Sequence, residues 1–163
     1  MIAERLAELH ARTMTVPWTV GDFEELLSGK GVFVVSSSLP KFACESARGA
    51  APLSPIATPE GAQPLIGLAM GSVVLEEAEL LTLAVDPDVR RQGIGRACLE
   101  AFEAEAARRG AAVLHLEVAE TNVPAIALYL SAGWERSGQR KAYYATPDGR
   151  VDAVLMTKRL SVG

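Results

Sequence analysis

The sequence predicts an α/β or α+β fold built around a mixed sheet, on three observations. Strand-like and helix-like patterns alternate along most of the chain. A loop of arginine and glycine, Arg90 to Arg96, separates an apolar strand from a strongly amphipathic helix. The 163 residues are 49% apolar and 22% charged, enough for a folded core and far from a disordered composition. A single domain over residues 1–163 is expected.

The elements follow in order. Ile2 to Met14 carries Ile2, Leu6, Leu9, His10 and Thr13 at helical spacing. Thr19 is placed to cap a second helix, Val20 to Ser28, that ends before Gly29. Val32 to Ser36 is a short β-branched strand. Residues 37–64, with five prolines, cannot build a regular ladder and are expected to be a flexible insertion. Leu65 to Leu75 and Glu79 to Val85 read as strands joined by a turn at Glu76-Glu77-Ala78. Ile94 to Arg109 is a helix whose inner side is Ile94, Cys98, Ala101, Phe102, Glu105 and Ala106, stopped by Gly110. Val113 to Val118 is a strand. Val123 to Ala132 is a short helix with Pro124 in its first turn and Gly133 at its end. Trp134 to Arg140 and Val151 to Lys158 are the last strands, joined through Thr146-Pro147-Asp148-Gly149.

Composition narrows the function. The net charge of −4 argues against a general nucleic-acid binder. No apolar run reaches the ~18 residues of a membrane span. Met1 to Leu9 carries Glu4, Arg5 and Glu8 and no export-type apolar core, so a cytoplasmic location is expected. Cys44 and Cys98 make neither a disulfide framework nor a metal cluster, and no His/Cys/Asp group has ligand spacing. The charge is asymmetric: residues 1–89 balance at −7 and residues 90–163 at +3, the basic excess starting at Arg90-Arg91. An anionic small ligand on the second half fits this, although patchiness by chance also explains it.

Arg90-Arg91-Gln92-Gly93-Ile94-Gly95-Arg96 is the most informative stretch. Glycines there permit close backbone approach, free N–H groups at a helix start attract phosphate, and arginines add charge-assisted bonds. A P-loop would need Gly-Lys-Ser/Thr, which is absent. A dinucleotide fold would use Gly93-x-Gly95 with Glu117 as the later acidic residue. Cys98 replaces its third glycine, however, and Asp86 to Gln92 separates the glycines from their strand.

Counted from Arg90, the loop is complete as R-x-x-G-x-G, and it resembles the acetyl-CoA loop of the GNAT N-acetyltransferase family. Leu81-Thr-Leu-Ala-Val-Asp-Pro, Leu116-Glu-Val, Asn122, Ala127-Leu-Tyr-Leu-Ser-Ala-Gly-Trp134 and Lys141-Ala-Tyr-Tyr144 recur in the order of its ribosomal-protein-alanine N-acetyltransferase branch, and Pro17-Trp18 is also similar. The resemblance covers residues 65–160 and, more weakly, 1–36. Three departures stand out: the insertion at 37–64, the start of the chain in what would be the family's first helix, and Ala142 where the branch has Asn. The resemblance implies a largely antiparallel mixed sheet with splayed central parallel strands, here 79–85 and 113–118, and flanking helices. It implies acetyl-CoA as acetyl donor, held by Leu83, Ala84 and Val85, by Arg90, Arg91, Gln92, Gly93, Ile94, Gly95 and Arg96, and by Asn122. Ladder groups at Leu83 and Val85 would pair with the pantetheine arm. The acceptor it implies is a protein N-terminal amine, of a ribosomal protein. A small amine and a non-catalytic acyl-CoA-binding module are the alternatives.

Acetyl transfer from a thioester to an amine needs a proton acceptor, oxyanion stabilisation and a proton for the leaving thiolate. Glu117, which shares a face with His115 and Val113, is the candidate base; otherwise it is an ordinary strand-end carboxylate. Tyr129 is the candidate acid, against the alternative that it only packs. Asn122 also reads as a helix cap. His10 reads as a helix-surface residue, His115 as a satisfied strand histidine, and Cys98 as a small buried hydrophobe. Tyr143-Tyr144 line an acceptor channel or are plain strand aromatics.

Overall fold

The computed structural model describes residues 2–37 and 64–161. The expected insertion therefore lies outside the described residues except at its ends, and Cys44 lies outside with it. The elements run α1 (Ile2–Thr13), α2 (Val20–Leu27), β1 (Val32–Ser37), β2 (Gly67–Val74), β3 (Glu77–Val85), α3 (Ile94–Arg108), β4 (Val113–Ala119), α4 (Val123–Ser131), β5 (Glu135–Thr146) and β6 (Gly149–Arg159).

Local chemistry sets the helix ends. Thr19 and Asp22 form a reciprocal capping box at α2, and the Asn122 side chain accepts from the Ala125 N–H at the start of α4. At the end of α3, Gly110 N–H donates to Ala107 O and Ala111 N–H to Ala106 O; at α4, Gly133 N–H donates to Leu130 O and Trp134 N–H to Tyr129 O. Both are the paired Schellman bonds that a left-handed glycine permits, with Gly110 at φ +97° and Gly133 at φ +91°.

The six strands form one sheet in the order β1-β2-β3-β4-β6-β5. Every neighbouring pair is antiparallel except β3 and β4. That parallel pair is registered only over Glu77↔Val113, Ala78↔Leu114 and Glu79↔His115, so the two strands part beyond Glu79 and His115. The expected splay is present at the centre of the sheet. Several boundaries differ from expectation: β2 is shorter, at Gly67–Val74, and β6 longer, at Gly149–Arg159. Glu77 and Ala78 belong to β3, because Ala78 faces the core at 2% exposure and the turn is Leu75-Glu76. β5 continues past Arg140 to Thr146 through an irregular register, and Trp134 is not in it.

Each sheet face carries its own core. Cys98, Leu99, Phe102 and Ala106 of α3 and Ile126 and Tyr129 of α4 pack on Leu114, Leu116 and Val118. On the other face Leu6 and Leu9 of α1 and Phe23 of α2 pack on Val34, Leu68, Met70 and Ala84. Glycines in β2 let α3 lie close: a Cβ at Gly67 would meet Ile94 Cγ2 at 2.7 Å, and one at Gly71 would meet Phe102 Cε2 at 2.3 Å. Glu103 joins α3 to the far side of the sheet. It accepts from Trp134 Nε1 at 2.9 Å and from Lys158 Nζ at 2.7 Å. Glu105, on the inner side of α3 as expected, is held down to about 2, first by its hydrogen bond from Arg108, against its burial.

His10 is the clear correction. It is 2% exposed rather than on the surface. Trp18 N–H donates to His10 Nδ1 at 2.9 Å, so the neutral ring carries its proton on Nε2, which lies 3.1 Å from Thr82 Oγ1. Its ring stacks on Trp18 at 4.9 Å, and burial lowers its pKa. A helical period identifies an inner face, but one polar residue at its edge is decided by what the next segment brings.

Candidate active site

The site has three parts, each built by a different element. The first is the segment between β3 and α3. Asp86 takes the Asp88 N–H at 2.9 Å and the Arg12 guanidinium at 2.9 Å, which turns the chain out of the sheet. Arg91 at φ +62° and Gly93 at φ +79° then curl it back into α3. Unlike α2 and α4, α3 has no side-chain cap, and its first turn carries no acidic residue. The N–H groups of Ile94, Gly95 and Arg96 thus stay available at the positive end of a helix of 15 residues. A Cβ at Gly93 would meet nothing within 4 Å, and Arg90 and Arg91 are exposed beside it. This donor set fits a phosphate group. Arg96 turns to Ser131 of α4 and to Glu100.

The second part is the gap between β3 and β4. Asp86 N–H donates to Ile66 O at 2.8 Å, so by the alternation of an antiparallel ladder Ala84 and Thr82 direct their backbone groups to β2. Leu83 and Val85 direct theirs into the gap, where β4 no longer pairs. Unpaired strand groups of this kind accept an extended chain as an added strand. Of the three β3 residues expected to hold a ligand, Ala84 alone has its backbone turned away.

The third part surrounds Glu117. Leu116 and Val118 are buried under α3 and α4, so Glu117 projects from the opposite face. It is 19% exposed, with Arg140 Nε 3.0 Å from its Oε1. Tyr144 stands close by: burial first, then the negative charge of Glu117, push its pKa up. Tyr129, 6% exposed, is pushed up to about 12, first by burial and then by Tyr144. Tyr144 therefore lies electrostatically between the candidate base on the sheet and the candidate acid on α4. A groove of about 330 Å³ runs from Glu117 along this face, lined by Glu77, Glu79, His115, Ser137 and Leu155. His115 is within reach of Glu77 Oε1 at 3.2 Å and Thr157 Oγ1 at 3.3 Å. Cys98 is fully buried, and burial pushes its thiol up to about 12, as expected for a packing residue.

Arg140 was not among the expected site residues. The signal for it was faint, since a lone arginine on a strand of exposed residues has no distinguishing period. Among the described residues no group of three or more His, Cys, Asp or Glu is placed to hold a metal ion, and no helix is long and apolar enough to cross a membrane.

Among the described residues the sheet parts at its one parallel pair, and the uncapped glycine–arginine start of α3 lies beside that gap. The chain belongs to the acetyltransferase (GNAT) family, whose model matches residues 3–134. The [ribosomal protein bS18]-alanine N-acetyltransferase of Escherichia coli strain K12 is 48% identical over 98 residues, which are 60% of this chain and 66% of that protein. The match thus spans just under two thirds of that relative's length. The protein of the same name from Salmonella typhimurium is 43% identical over 98 residues, again 60% of this chain and 66% of its own. The crystal structure of the Escherichia coli ribosomal-protein-S18-alanine N-acetyltransferase superposes with a TM-score of 0.77 at 34% identity, covering 99% of this chain and 89% of that one. Arabidopsis thaliana NAA60 in complex with acetyl-CoA shares the fold, with a TM-score of 0.73 at 18% identity over 97% of this chain and 93% of that one.

Proposed function

We propose that this protein transfers an acetyl group from acetyl-CoA to the N-terminal amine of a protein, with alanine at the N-terminus of a ribosomal protein as the acceptor. The observation that carries this reading is the parting of β3 and β4 beyond Glu79 and His115 beside the uncapped, arginine-flanked start of α3. The acceptor comes from the names of the relatives at 48% and 43% identity. A cytoplasmic site of action accompanies a ribosomal acceptor.

Acetyl-CoA supplies an activated acyl group on a thioester. The N–H groups of Ile94, Gly95 and Arg96, with Arg90, Arg91 and Gln92 beside them, hold its phosphates. Leu83 and Val85 hold the extended arm and direct an N–H toward the carbonyl oxygen as charge develops there. Asn122, already the cap of α4, contributes at the edge. Glu117 takes the acceptor's ammonium proton through water; an α-amine at pKa ≈ 7.7–8.0 asks little of it. With acetyl-CoA bound, the C–N bond would form as the C–S bond breaks; Tyr129 would give its proton to the departing thiolate, and the second proton lost by the nitrogen would return through water to the Tyr129 phenolate. A phenol at about 12 stays protonated across the working range.

The test is steady-state acetylation with Tyr129→Phe, against a panel of peptides and small amines. The ring stays packed on Trp134, 6.0 Å away, so folding and acetyl-CoA binding hold. kcat falls by about 10²–10⁴. Wild-type turnover only on small amines refutes the protein acceptor; near-wild-type kcat in the variant refutes the acid.

A further inference from the structure

One strained segment follows Arg140, the partner of Glu117. β5 advances from Arg140 to Tyr144 while β6 advances only from Val151 to Ala153, which leaves Lys141 to Tyr143 as a bulge. Ala142 at its crest has φ +50°, a left-handed conformation that residues with a Cβ rarely adopt, Asn and Asp excepted. Such strain persists only where the surroundings enforce it.

What enforces it is Asp152. Its Oδ1 accepts the Ala142 N–H at 2.8 Å, and its Oδ2 accepts from Gln139 Nε2 at 2.6 Å. One carboxylate thus grips the chain before and at the crest. The Arg150 guanidinium closes the turn by donating to the Ala142 carbonyl at 3.3 Å. Asp152 is anchored in turn to the end of β4, where the Glu120 N–H donates to its carbonyl at 2.9 Å. On either side of the crest stand Arg140 and the Tyr143-Tyr144 pair. Arg140 Nε lies 3.0 Å from Glu117 Oε1, and its guanidinium lies 5.1 Å from the Tyr143 ring centroid. Tyr143 meets Tyr144 edge-on at 5.0 Å.

We propose that Asp152 is a positioning residue for the acceptor side of the site: by clamping the strained bulge at Ala142 it holds Arg140 against Glu117 and sets the Tyr143-Tyr144 pair beside them. The proposal rests on Glu117 acting on the acceptor amine, as proposed above. Asp152 acts through the bulge and does not touch the reacting atoms.

The experiment compares wild type, Asp152→Ala, and Asp152→Ala combined with Ala142→Gly. Glycine adopts φ +50° without strain, so it preserves the bulge when the clamp is gone. Acceptor kcat/KM falls about 10–100-fold in Asp152→Ala, the size of a lost hydrogen bond to a charged group. The KM for acetyl-CoA stays within about twofold, and Ala142→Gly restores most of the loss. In parallel, the Arg140 Nε–H resonance, held against Glu117 in wild type, is lost in Asp152→Ala and returns in the double variant. Two results overturn the proposal. One is acceptor kcat/KM within about twofold of wild type in Asp152→Ala. The other is an equal loss of acetyl-CoA affinity with no rescue by Ala142→Gly. Should wild type acetylate no amine, the acetyl-transfer reading falls on its own. The Arg140 signal then decides the clamp, and its survival in Asp152→Ala refutes it.

Discussion

Gly71→Ala adds one methyl group at the tightest point between the sheet and α3. The new Cβ would stand 2.3 Å from Phe102 Cε2 and 2.8 Å from the Glu79 carbonyl oxygen, both inside contact distance. The ring has nowhere to go. Phe102 is 0% exposed and stacks on Phe33 at 5.6 Å with 10° between planes, and Arg109 lies 4.7 Å over Phe33. Relief requires α3 to move off β2 or the Met70/Gly71 bulge to open. Overpacking a core typically costs ~1–3 kcal/mol, and a backbone oxygen together with a locked ring puts this case near 3. In a chain of this size that lowers Tm by roughly 6–12 °C. Because the first turn of α3 carries the N–H groups proposed to hold the phosphates, acetyl-CoA affinity is expected to fall with it. Urea and thermal unfolding followed by circular dichroism, with and without acetyl-CoA, measure both effects. Phe102→Leu makes room for the methyl, so the double variant should be more stable than the sum of the singles predicts, by at least ~0.5 kcal/mol. A Gly71→Ala protein within about 0.5 kcal/mol of wild type, or strict additivity with Phe102→Leu, would refute the contact as the determinant of α3's seat.

Other outcomes follow from the same geometry. Acetyl-CoA raises wild-type Tm because it binds only the folded chain, and Gly93→Val with Gly95→Val abolishes that rise in differential scanning fluorimetry; an equal rise in both proteins would move the phosphate site elsewhere. His10 has its pKa lowered from 6.5, so the unfolded chain binds its proton first as pH falls: stability is complete above about 6.5 and declines below it, and His10→Gln flattens that decline in urea titrations between pH 5 and 8. Thr19→Ala removes the α2 capping box and costs about 1 kcal/mol by urea unfolding, without changing acetyl-CoA affinity.

What the sequence by itself determined is what neighbouring residues decide among themselves. Thr19 and Asp22, Asn122, Gly110 and Gly133 end their helices through bonds spanning a few positions, so the helix limits were legible. The Arg90–Gly95 loop was legible for the same reason: left-handed glycine, an uncapped helix start and two arginines are contiguous. The splay of β3 and β4 was legible only through likeness to a family, because no local pattern encodes where a parallel pair parts. Tertiary structure decided the rest. His10 and Thr82 are 72 positions apart, and only the docking of α1 on β3, with Trp18 folding back, turned an apparent surface histidine into a buried one. Glu117 meets Arg140 only across three strands, β4, β6 and β5: the register shift between Arg136 and Gly138 sets the face that Arg140 takes, and the bulge after it moves Tyr144 opposite Val151. Gly71 and Phe102 each look ordinary in their own element. Their meaning lies in the close approach of helix and sheet, a distance set by packing between elements and not by the residues beside either one.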